Sequence, residues 1–209
     1  MQCFSYFGVQ PFSSHPPWIS HETDSFCYDK DMKLYVSRHG RSNYNDLELF
    51  NSDPAVDVHL TELGIEQAEA LSDKLKNIKI DHIFVSELKR TQQTAAIVNK
   101  YHNAAISIDA KLNDHRSGFE DRPYAEYDAL FEASDDSWNA RFNDGESLED
   151  TRVRIREFLE NLKSKNYESV LVVTSMTIVQ AFYGVLTELA SDDTWNITVD
   201  TGSYTEFDL

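Results

Sequence analysis

Three short apolar runs along the chain have the pattern of buried β-strands. They cover residues 33–37, 81–86 ("DHIFVS") and 169–174 ("SVLVVT"), and they are rich in β-branched residues. Each run is followed by a segment in which apolar residues recur with helical spacing. The alternation of strand and helix predicts an α/β fold, in which a mostly parallel central sheet is covered by helices on both faces.

Four helices are predicted between and after these strands. Thr61 is a typical capping residue for a helix that extends to about residue 76, and the next two helices cover about 89–101 and 148–163. A fourth follows Thr177, and the final residues "GSYTEFDL" predict a closing edge strand. Between 111 and 144 the periodic pattern gives way to polar and aromatic residues, which is typical of a lid or substrate loop.

The length of the chain favours one domain, which we expect over residues 32–209. Residues 1–31 are rich in Ser, Pro and aromatic residues and do not resemble a secretory signal, so they predict an N-terminal extension, either an upstream segment or an arm across the surface. No apolar run reaches the length of a membrane span, and the net charge of −17 disfavours nucleic acid and anionic membranes as partners. These features favour a cytoplasmic protein that binds anions only through a local cluster of arginines.

Polar residues follow the carboxyl ends of all three predicted strands. In open α/β sheets ligands bind at this edge, so we expect these residues to converge on one pocket. The first strand is followed by Arg38, His39, Gly40, Ser42 and Asn45, the second by Arg90, and the third by Ser175.

The residue types at these positions indicate phosphate chemistry. A histidine flanked by guanidinium groups has a lowered pKa and keeps a ring nitrogen free to attack. Two arginines offer forked donors that match phosphoryl oxygens, Gly40 allows close approach of backbone N–H groups to an anion, and Asn45 can donate through its side chain. An isolated histidine after a strand is more often structural, so the tripeptide alone is weak support.

Six segments extend the pattern along the chain. They are "RHGRSNYN" at 38–45, "LTELGIEQA" at 60–68, "VSELKRTQQTA" at 85–95, "LNDHRSGFEDRP" at 112–123, "NDGESLEDTRVRI" at 143–155 and "VLVVTSMTIV" at 170–179. In order and spacing they resemble the histidine phosphatase superfamily, which includes the cofactor-dependent phosphoglycerate mutases. The compact 112–123 segment is similar to the phosphatase branch. The resemblance implies a phosphoglycerate mutase-like three-layer α/β/α sandwich.

The resemblance also implies a covalent mechanism without a metal or other cofactor. His39 would attack phosphorus to form a phosphohistidine, which water or a second acceptor then discharges. By the same matching, the phosphoryl group would be bound by Arg38, Arg90, Asn45 and Gly40.

A carboxyl group of the family pattern would protonate the leaving oxygen. It matches Asp114, where related sequences often have Glu, and Glu120 is the alternative. The resemblance places Ser42, Arg116 and Glu120 beside the substrate.

One position departs from the family pattern. Members usually carry a second histidine after the last buried strand, where this chain has Ser175. That histidine donates to the phosphoryl group, and loss of one such donor costs on the order of 100- to 1000-fold in rate. Three explanations are compatible with a serine at this position: the protein is a weak phosphatase, it binds phosphate without activity, or the residue was substituted deliberately to trap a ligand. The otherwise intact pattern favours an enzyme with an impaired or altered site.

These residues predict a phosphomonoesterase, a histidine acid phosphatase-type hydrolase that acts on a small phosphorylated molecule and binds inorganic phosphate. A phosphoglycerate mutase-type phosphoryl transferase and a phosphate-binding pseudophosphatase are the alternatives. The loop from 118 to 144 would select the substrate. The sequence also leaves open whether the protein forms a homodimer. Candidates for an apolar wall in that loop are Tyr124, Tyr127, Phe131 and Trp138.

Overall fold

The computed structural model describes residues 32–209, so the extension expected over 1–31 lies outside the described residues. Within this part of the chain, five strands form one sheet in the order β3-β2-β4-β1-β5. The sheet is parallel except for the antiparallel pair of β1 and β5. The strands are β1 (Lys33–Arg38), β2 (His82–Val85), β3 (Ala105–Ile108), β4 (Ser169–Thr174) and β5 (Tyr204–Asp208).

Helices connect these strands and cover both faces of the sheet. They are α1 (Asn43–Leu47), α2 (Glu62–Leu75), α3 (Lys89–Val98), α4 (Tyr124–Glu132), α5 (Leu148–Lys163), α6 (Met176–Leu186) and α7 (Ser191–Trp195). Short 3-10 turns cover Asn99–Tyr101 and Ala110–Leu112.

The strongly patterned elements lie where the sequence predicts them. Thr61 caps α2, because its side chain accepts a hydrogen bond from the backbone of Gly64. The bounds of α5 coincide with the predicted helix, and the final strand pairs antiparallel at the edge of the sheet. The segment from 111 to 144 is not a loop throughout, because it contains α4. Three further elements, β3, α1 and α7, were not predicted from the sequence.

Two apolar cores lie on opposite faces of the sheet. Alternate residues of β1 and β4 point to opposite faces, as expected for strands buried on both sides. One core joins the sheet to α5 and α6 through residues such as Val36, Val172 and Phe158, and the other joins it to α2 and α3. The sandwich therefore holds the carboxyl ends of β1, β2 and β4 rigidly at one edge.

The loop after β1 is fixed against the start of α2 by a glycine contact. A Cβ atom on Gly40 would lie 2.2 Å from the carbonyl oxygen of Gly64, and one on Gly64 would lie 2.0 Å from the carbonyl oxygen of Arg41. Only glycine allows the two backbones to approach this closely. Within residues 32–209, every helix is too short or too polar to cross a membrane.

Candidate active site

One cavity of about 330 Å³ lies at the carboxyl ends of the strands. The backbone N–H of His39 donates to the carbonyl of Thr174 at 2.9 Å and joins the ends of β1 and β4 there. The residues of the sequence prediction that line the cavity are Arg38, His39, Ser42, Asn45, Arg90, Asp114 and Ser175. Residues from four separate parts of the chain therefore converge, as the strand ends predict.

The imidazole of His39 is held in one orientation from both sides. Its Nδ1 atom lies 2.6 Å from the carbonyl oxygen of Gly40, and its Nε2 atom accepts a hydrogen bond from Arg90 Nε at 3.0 Å. Nδ1 therefore carries the proton and Nε2 carries the lone pair. Complete burial and the charge of Arg90, with a smaller effect of Arg38, hold the pKa of His39 well below its ordinary value. His39 is thus a neutral imidazole with its nucleophilic nitrogen facing a guanidinium group.

Arg90 is buried, with 3% of its surface exposed, at the start of α3. Its Nη1 and Nη2 atoms donate to the side-chain and backbone oxygens of Asn51 at 2.8 and 2.9 Å. Nη2 also forms an ion pair with Asp114 at 3.1 Å. These contacts fix the guanidinium plane beside His39.

Arg38 lines the same cavity, and its Nε atom is available as a hydrogen-bond donor. Its Nη1 atom donates to the carbonyl of Val199 at 2.6 Å and to Met176 Sδ at 3.2 Å. Its Nε atom is buried and has no hydrogen-bond partner among the described residues. A buried donor without a partner is costly, so a ligand oxygen at this position would relieve that cost.

The two candidate acids lie in different surroundings. Asp114 lines the cavity, where Oδ2 contacts Arg90 and Oδ1 accepts from the backbone of His115 at 2.9 Å. Glu120 does not line the cavity, and its carboxylate accepts from the backbone and hydroxyl of Ser52. The side chain of Arg116 is likewise outside the cavity lining. Of these residues, Asp114 is the one placed to reach a leaving group.

The residues after β1 have roles beyond direct ligand contact. Ser42 caps α1 and forms a reciprocal capping box with Asn45. The N–H of Gly40 donates to Thr94 Oγ1 at 3.1 Å, so it is not free for the anion contact expected from the sequence. Gly40 does not line the cavity, and its requirement for a small residue arises from the contact with Gly64.

Ser175 directly precedes α6, at its N-cap position, with 1% of its surface exposed. Its side chain does not cap the helix, and its Oγ atom lies 3.5 Å from Arg90 Nη2, at the limit of a hydrogen bond. The hydroxyl therefore lies beside the guanidinium group of Arg90 without a strong contact of its own.

Several lining residues were not found from the sequence. Asn51, which fixes Arg90, lies in a loop whose turn-forming letters carry no catalytic signal. His115, by contrast, was expected with Arg116 at the mouth of the site, and it does line the cavity; it is buried, with Nδ1 3.0 Å from Thr151 Oγ1, and burial lowers its pKa. Of the four candidate wall aromatics, only Tyr124 lines the cavity, together with Tyr44, Leu49, Phe50, Asp128, Met176, Thr177, Gln180 and Trp195.

A half-buried ion pair supports the segment that carries Asp114. Glu146 lies 2.7 Å from Arg154 and accepts from the backbone of Arg116 at 3.0 Å. Although burial raises it, the combined effect of Arg154 and of this hydrogen bond lowers the pKa of Glu146. Arg154 also donates to the carbonyl of Asp114 at 3.2 Å. Among the described residues, no three or more His, Cys, Asp or Glu side chains cluster in a way that could hold a metal ion.

Comparison with known proteins agrees with this site. The sequence profile of the Histidine phosphatase superfamily (branch 1) matches residues 34–209. The chain belongs to this superfamily. It is 26% identical over 187 residues to the adenosylcobalamin/alpha-ribazole phosphatase of Escherichia coli K12, covering 85% of this chain and 90% of that protein. It is 27% identical over 180 residues to phosphoserine phosphatase 1 of Hydrogenobacter thermophilus, covering 83% and 84%.

Solved structures of the superfamily share the fold. The alpha-ribazole phosphatase from Shigella flexneri superposes with a TM-score of 0.73 at 26% identity, covering 84% of this chain and 89% of that one. The predicted phosphoglycerate mutase-like sandwich is therefore confirmed. Membership of the superfamily and the phosphatase relatives support a hydrolase of the phosphatase branch.

Proposed function

We propose that this histidine phosphatase is a phosphomonoesterase that works through a phosphohistidine on His39. The observation that carries the proposal is the His39 ring, whose Nε2 atom accepts a hydrogen bond from Arg90 in a cavity that Arg38 also lines. A tetrahedral anion bound by these two guanidinium groups brings phosphorus next to the nucleophile. The lowered pKa keeps that nucleophile neutral at physiological pH.

In the first step, His39 Nε2 forms a bond to phosphorus while the bond from phosphorus to the ester oxygen breaks. Arg90 Nε then donates to a phosphoryl oxygen instead of to the imidazole. The departing oxygen takes a proton from Asp114. Asp114 acts as the general acid in this step and is left as a carboxylate.

In the second step, water attacks phosphorus and gives a proton to the carboxylate of Asp114. The bond between phosphorus and Nε2 breaks, which restores the imidazole and releases inorganic phosphate. The two guanidinium groups stabilise the charge on the phosphoryl oxygens in both steps. The protein's own side chains therefore suffice for each proton transfer.

The rest of the cavity favours a substrate whose alcohol part is uncharged and carries a ring. Of the described residues that line the cavity, only Arg38 and Arg90 are cationic, and the phosphoryl group takes both. Asp128 at the mouth adds negative charge, and the side chains of Tyr124, Phe50 and Trp195 supply aromatic surface. A carboxylate or second phosphate on the substrate would have no cation left to bind it. Among the relatives' named substrates, this chemistry is closer to an alpha-ribazole phosphate than to phosphoserine.

Hydrolysis of an aryl phosphate, followed as phosphate release, tests the reaction. We expect His39→Gln to abolish turnover, and His59→Gln to leave it unchanged, because His59 is exposed and does not line the cavity. Wild-type protein mixed with a ³²P-labelled ester and quenched in alkali should retain label, which acid then removes, as expected for a phosphohistidine. Turnover that survives in His39→Gln would overturn the proposal.

Two alkyl esters with similar intrinsic reactivity test the substrate class. We expect kcat/KM for 2-phenylethyl phosphate to exceed that for phosphoserine by at least about 10-fold, since each unpaired charge costs more than 1.4 kcal/mol to place in the cavity. An equal kcat/KM for both esters would contradict the substrate class but not the phosphohistidine.

Ser175 favours a second candidate, a phosphate-binding protein that does not turn over. It predicts stabilisation by phosphate or vanadate with no labelled phosphohistidine. Labelled His39 would therefore exclude it. Transfer of the label to a second hydroxyl of a phosphoglycerate, faster than its release as phosphate, would instead indicate a mutase.

A further inference from the structure

The phosphate-binding region has one imidazole donor fewer than the family pattern supplies. A serine side chain is shorter than histidine and uncharged, and Ser175 Oγ contacts Arg90 Nη2 only at 3.5 Å. If the phosphoryl group transfers here, a donor from another element can take over part of the charge stabilisation.

The side chain of Tyr124 reaches the same cavity from the opposite wall. It is the first residue of α4, and it lines the cavity together with Arg38, His39 and Arg90. Its backbone N–H donates to the carbonyl of Glu48 at 2.9 Å. Its ring packs edge-on against Phe50, with centroids 4.8 Å apart. Backbone and ring are thus both fixed.

The orientation of Asn45 decides what the Tyr124 hydroxyl can do. Asn45 Oδ1 accepts hydrogen bonds from the backbone N–H and the hydroxyl of Ser42, each at 3.0 Å. Because that oxygen is occupied, the NH₂ group is the part of Asn45 left to interact with the Tyr124 phenol, and the contact with Asn45 lowers the pKa of Tyr124, as a donor to the phenol oxygen does. A phenol oxygen that accepts from an amide keeps its own proton for a further acceptor.

The surroundings keep that proton in place and direct it toward an anion. Burial, with the charge of Asp114, raises the pKa of Tyr124 above its ordinary value, so the hydroxyl is protonated at neutral pH. The charges of Arg90 and Arg38 act in the opposite direction on that pKa, and both arginines line the same cavity as Tyr124. An oxygen bound by the two guanidinium groups therefore lies in the cavity that Tyr124 lines.

We propose that the Tyr124 hydroxyl is a catalytic donor that hydrogen-bonds a non-bridging oxygen of the transferring phosphoryl group. The proposal rests on the proposed function and adds a residue from α4 to the strand-end residues. The tyrosine forms no covalent bond and keeps its proton throughout. Its hydrogen bond supplies part of the stabilisation that the second histidine of the family pattern usually supplies.

Tyr124→Phe tests this directly, because it keeps the ring against Phe50 and removes only the hydroxyl. We expect kcat for an aryl phosphate to fall on the order of 100-fold, with KM changed less than about threefold, since the lost bond acts mainly in the transition state. The affinity for vanadate, which mimics five-coordinate phosphorus, should fall by a similar factor. A purely structural role would not weaken vanadate more than phosphate.

Tyr101→Phe is the matched control. The Tyr101 hydroxyl donates to Asp73 at 3.1 Å on the surface, outside the cavity lining, so its loss should leave kcat and vanadate affinity unchanged. In a Ser175→His background, which restores an imidazole donor, Tyr124→Phe should lower kcat by less than about 10-fold. The two positions are then coupled, as expected for donors to one group.

Retention of kcat and vanadate affinity within twofold in Tyr124→Phe would overturn this proposal and leave the phosphohistidine mechanism intact. An absence of His39-dependent turnover would instead overturn the proposed function. In that case the vanadate affinities of wild type, Tyr124→Phe and Tyr101→Phe still decide whether the hydroxyl contacts the anion.

Discussion

His39 gains its reactivity from groups that bind opposite sides of its ring. The Gly40 carbonyl holds the proton on Nδ1, and Arg90 faces the lone pair on Nε2. The same guanidinium group is paired with Asp114, so nucleophile, phosphate ligand and candidate acid form one connected set. Substitution of any one member should therefore alter the others, and their effects should not add.

Asp114 could act as the general acid or only hold Arg90 in place. Esters with different leaving groups distinguish these two roles, because only a general acid is needed more for a poor leaving group. We expect Asp114→Asn to slow hydrolysis of an alkyl phosphate by about 100- to 10,000-fold, the usual contribution of a general acid. With 4-nitrophenyl phosphate, whose leaving group departs without a proton, the loss should be much smaller. Steady-state kinetics with both esters measure the difference.

Glu120→Gln is the control for this prediction, because Glu120 contacts Ser52 instead of the cavity. We expect Glu120→Gln to change the rate of hydrolysis of both esters only slightly and by the same factor. A larger dependence on the leaving group in Glu120→Gln than in Asp114→Asn would assign the acid to Glu120.

The proposed function makes Ser175 a position that limits the rate. We expect Ser175→His to raise kcat on the order of 100-fold, because the imidazole adds a donor beside Arg90. Ser175→Leu adds similar bulk without a donor and should give no gain. A phosphatase assay on both variants distinguishes an added donor from a change in packing, and equal rates would show that the donor is not limiting.

The sequence predicted the strand-end residues of the site from their positions, whereas Asn51 was not predicted and Tyr124 was one of four candidate wall residues. Arg38, His39 and Arg90 follow apolar runs whose geometry is predictable, so their convergence could be inferred. Asn51 and Tyr124 reach the cavity only because the loop before α2 and the start of α4 fold back over it. Local pattern contains no information on such long-range contacts.

The helices and strands differ in how strongly their own sequence specifies them. α2 and α5 have a capping residue at the start and a continuous apolar face, so they were predicted closely. β3 is an edge strand with Ile106 and Ile108 exposed, and α4 has only Tyr127 fully buried, so neither shows a clear apolar period. Tertiary contacts, such as that of Tyr127 with Phe50, stabilise such elements where their own sequence pattern is weak.

The loop after β1 depends on the close backbone contact with α2. In an isolated helix, Gly64→Ala would stabilise by about 1 kcal/mol. Here the new Cβ atom would lie 2.0 Å from the carbonyl oxygen of Arg41, so we expect the free energy of unfolding to fall by about 1–3 kcal/mol. Urea unfolding measures the change, and phosphatase activity should fall as well because the loop carries His39.

Glu69→Ala is the control on the exposed face of α2 and should change stability by less than about 0.5 kcal/mol. If Gly64→Ala were stabilising instead, the backbones would not be in contact and the packing of this loop would need another explanation.

The molecule as a whole carries two opposing responses to acid. The net charge of −17 produces self-repulsion, which weakens as carboxylates and histidines gain protons. In the opposite direction, burial lowers the pKa of four described histidines, so the folded protein resists protonation that the unfolded chain accepts. These residues are His39, His82, His102 and His115.

The pH window follows from the direction of those shifts. A histidine whose pKa is lowered in the folded state contributes stability above its ordinary value of 6.5, and that contribution is lost as the pH falls below it. Paired carboxylates such as Glu146 have lowered pKa values too, but their contribution is lost only well below pH 5. Between pH 7.5 and 5.5 the histidines therefore dominate among these groups.

We expect the free energy of unfolding to fall between pH 7.5 and 5.5, by about 1.4 kcal/mol per pH unit for each proton that only the unfolded chain takes up. Urea titrations in about 0.5 M NaCl measure this, because salt screens the repulsion of the net charge. His82→Phe removes one of the four groups and should flatten the slope. Ser107→Ala removes the hydroxyl partner of His82 but no titrating group, so it should lower stability without changing the slope. A stability that is constant or rises toward pH 5.5 in high salt would mean that the buried histidines do not govern the acid response.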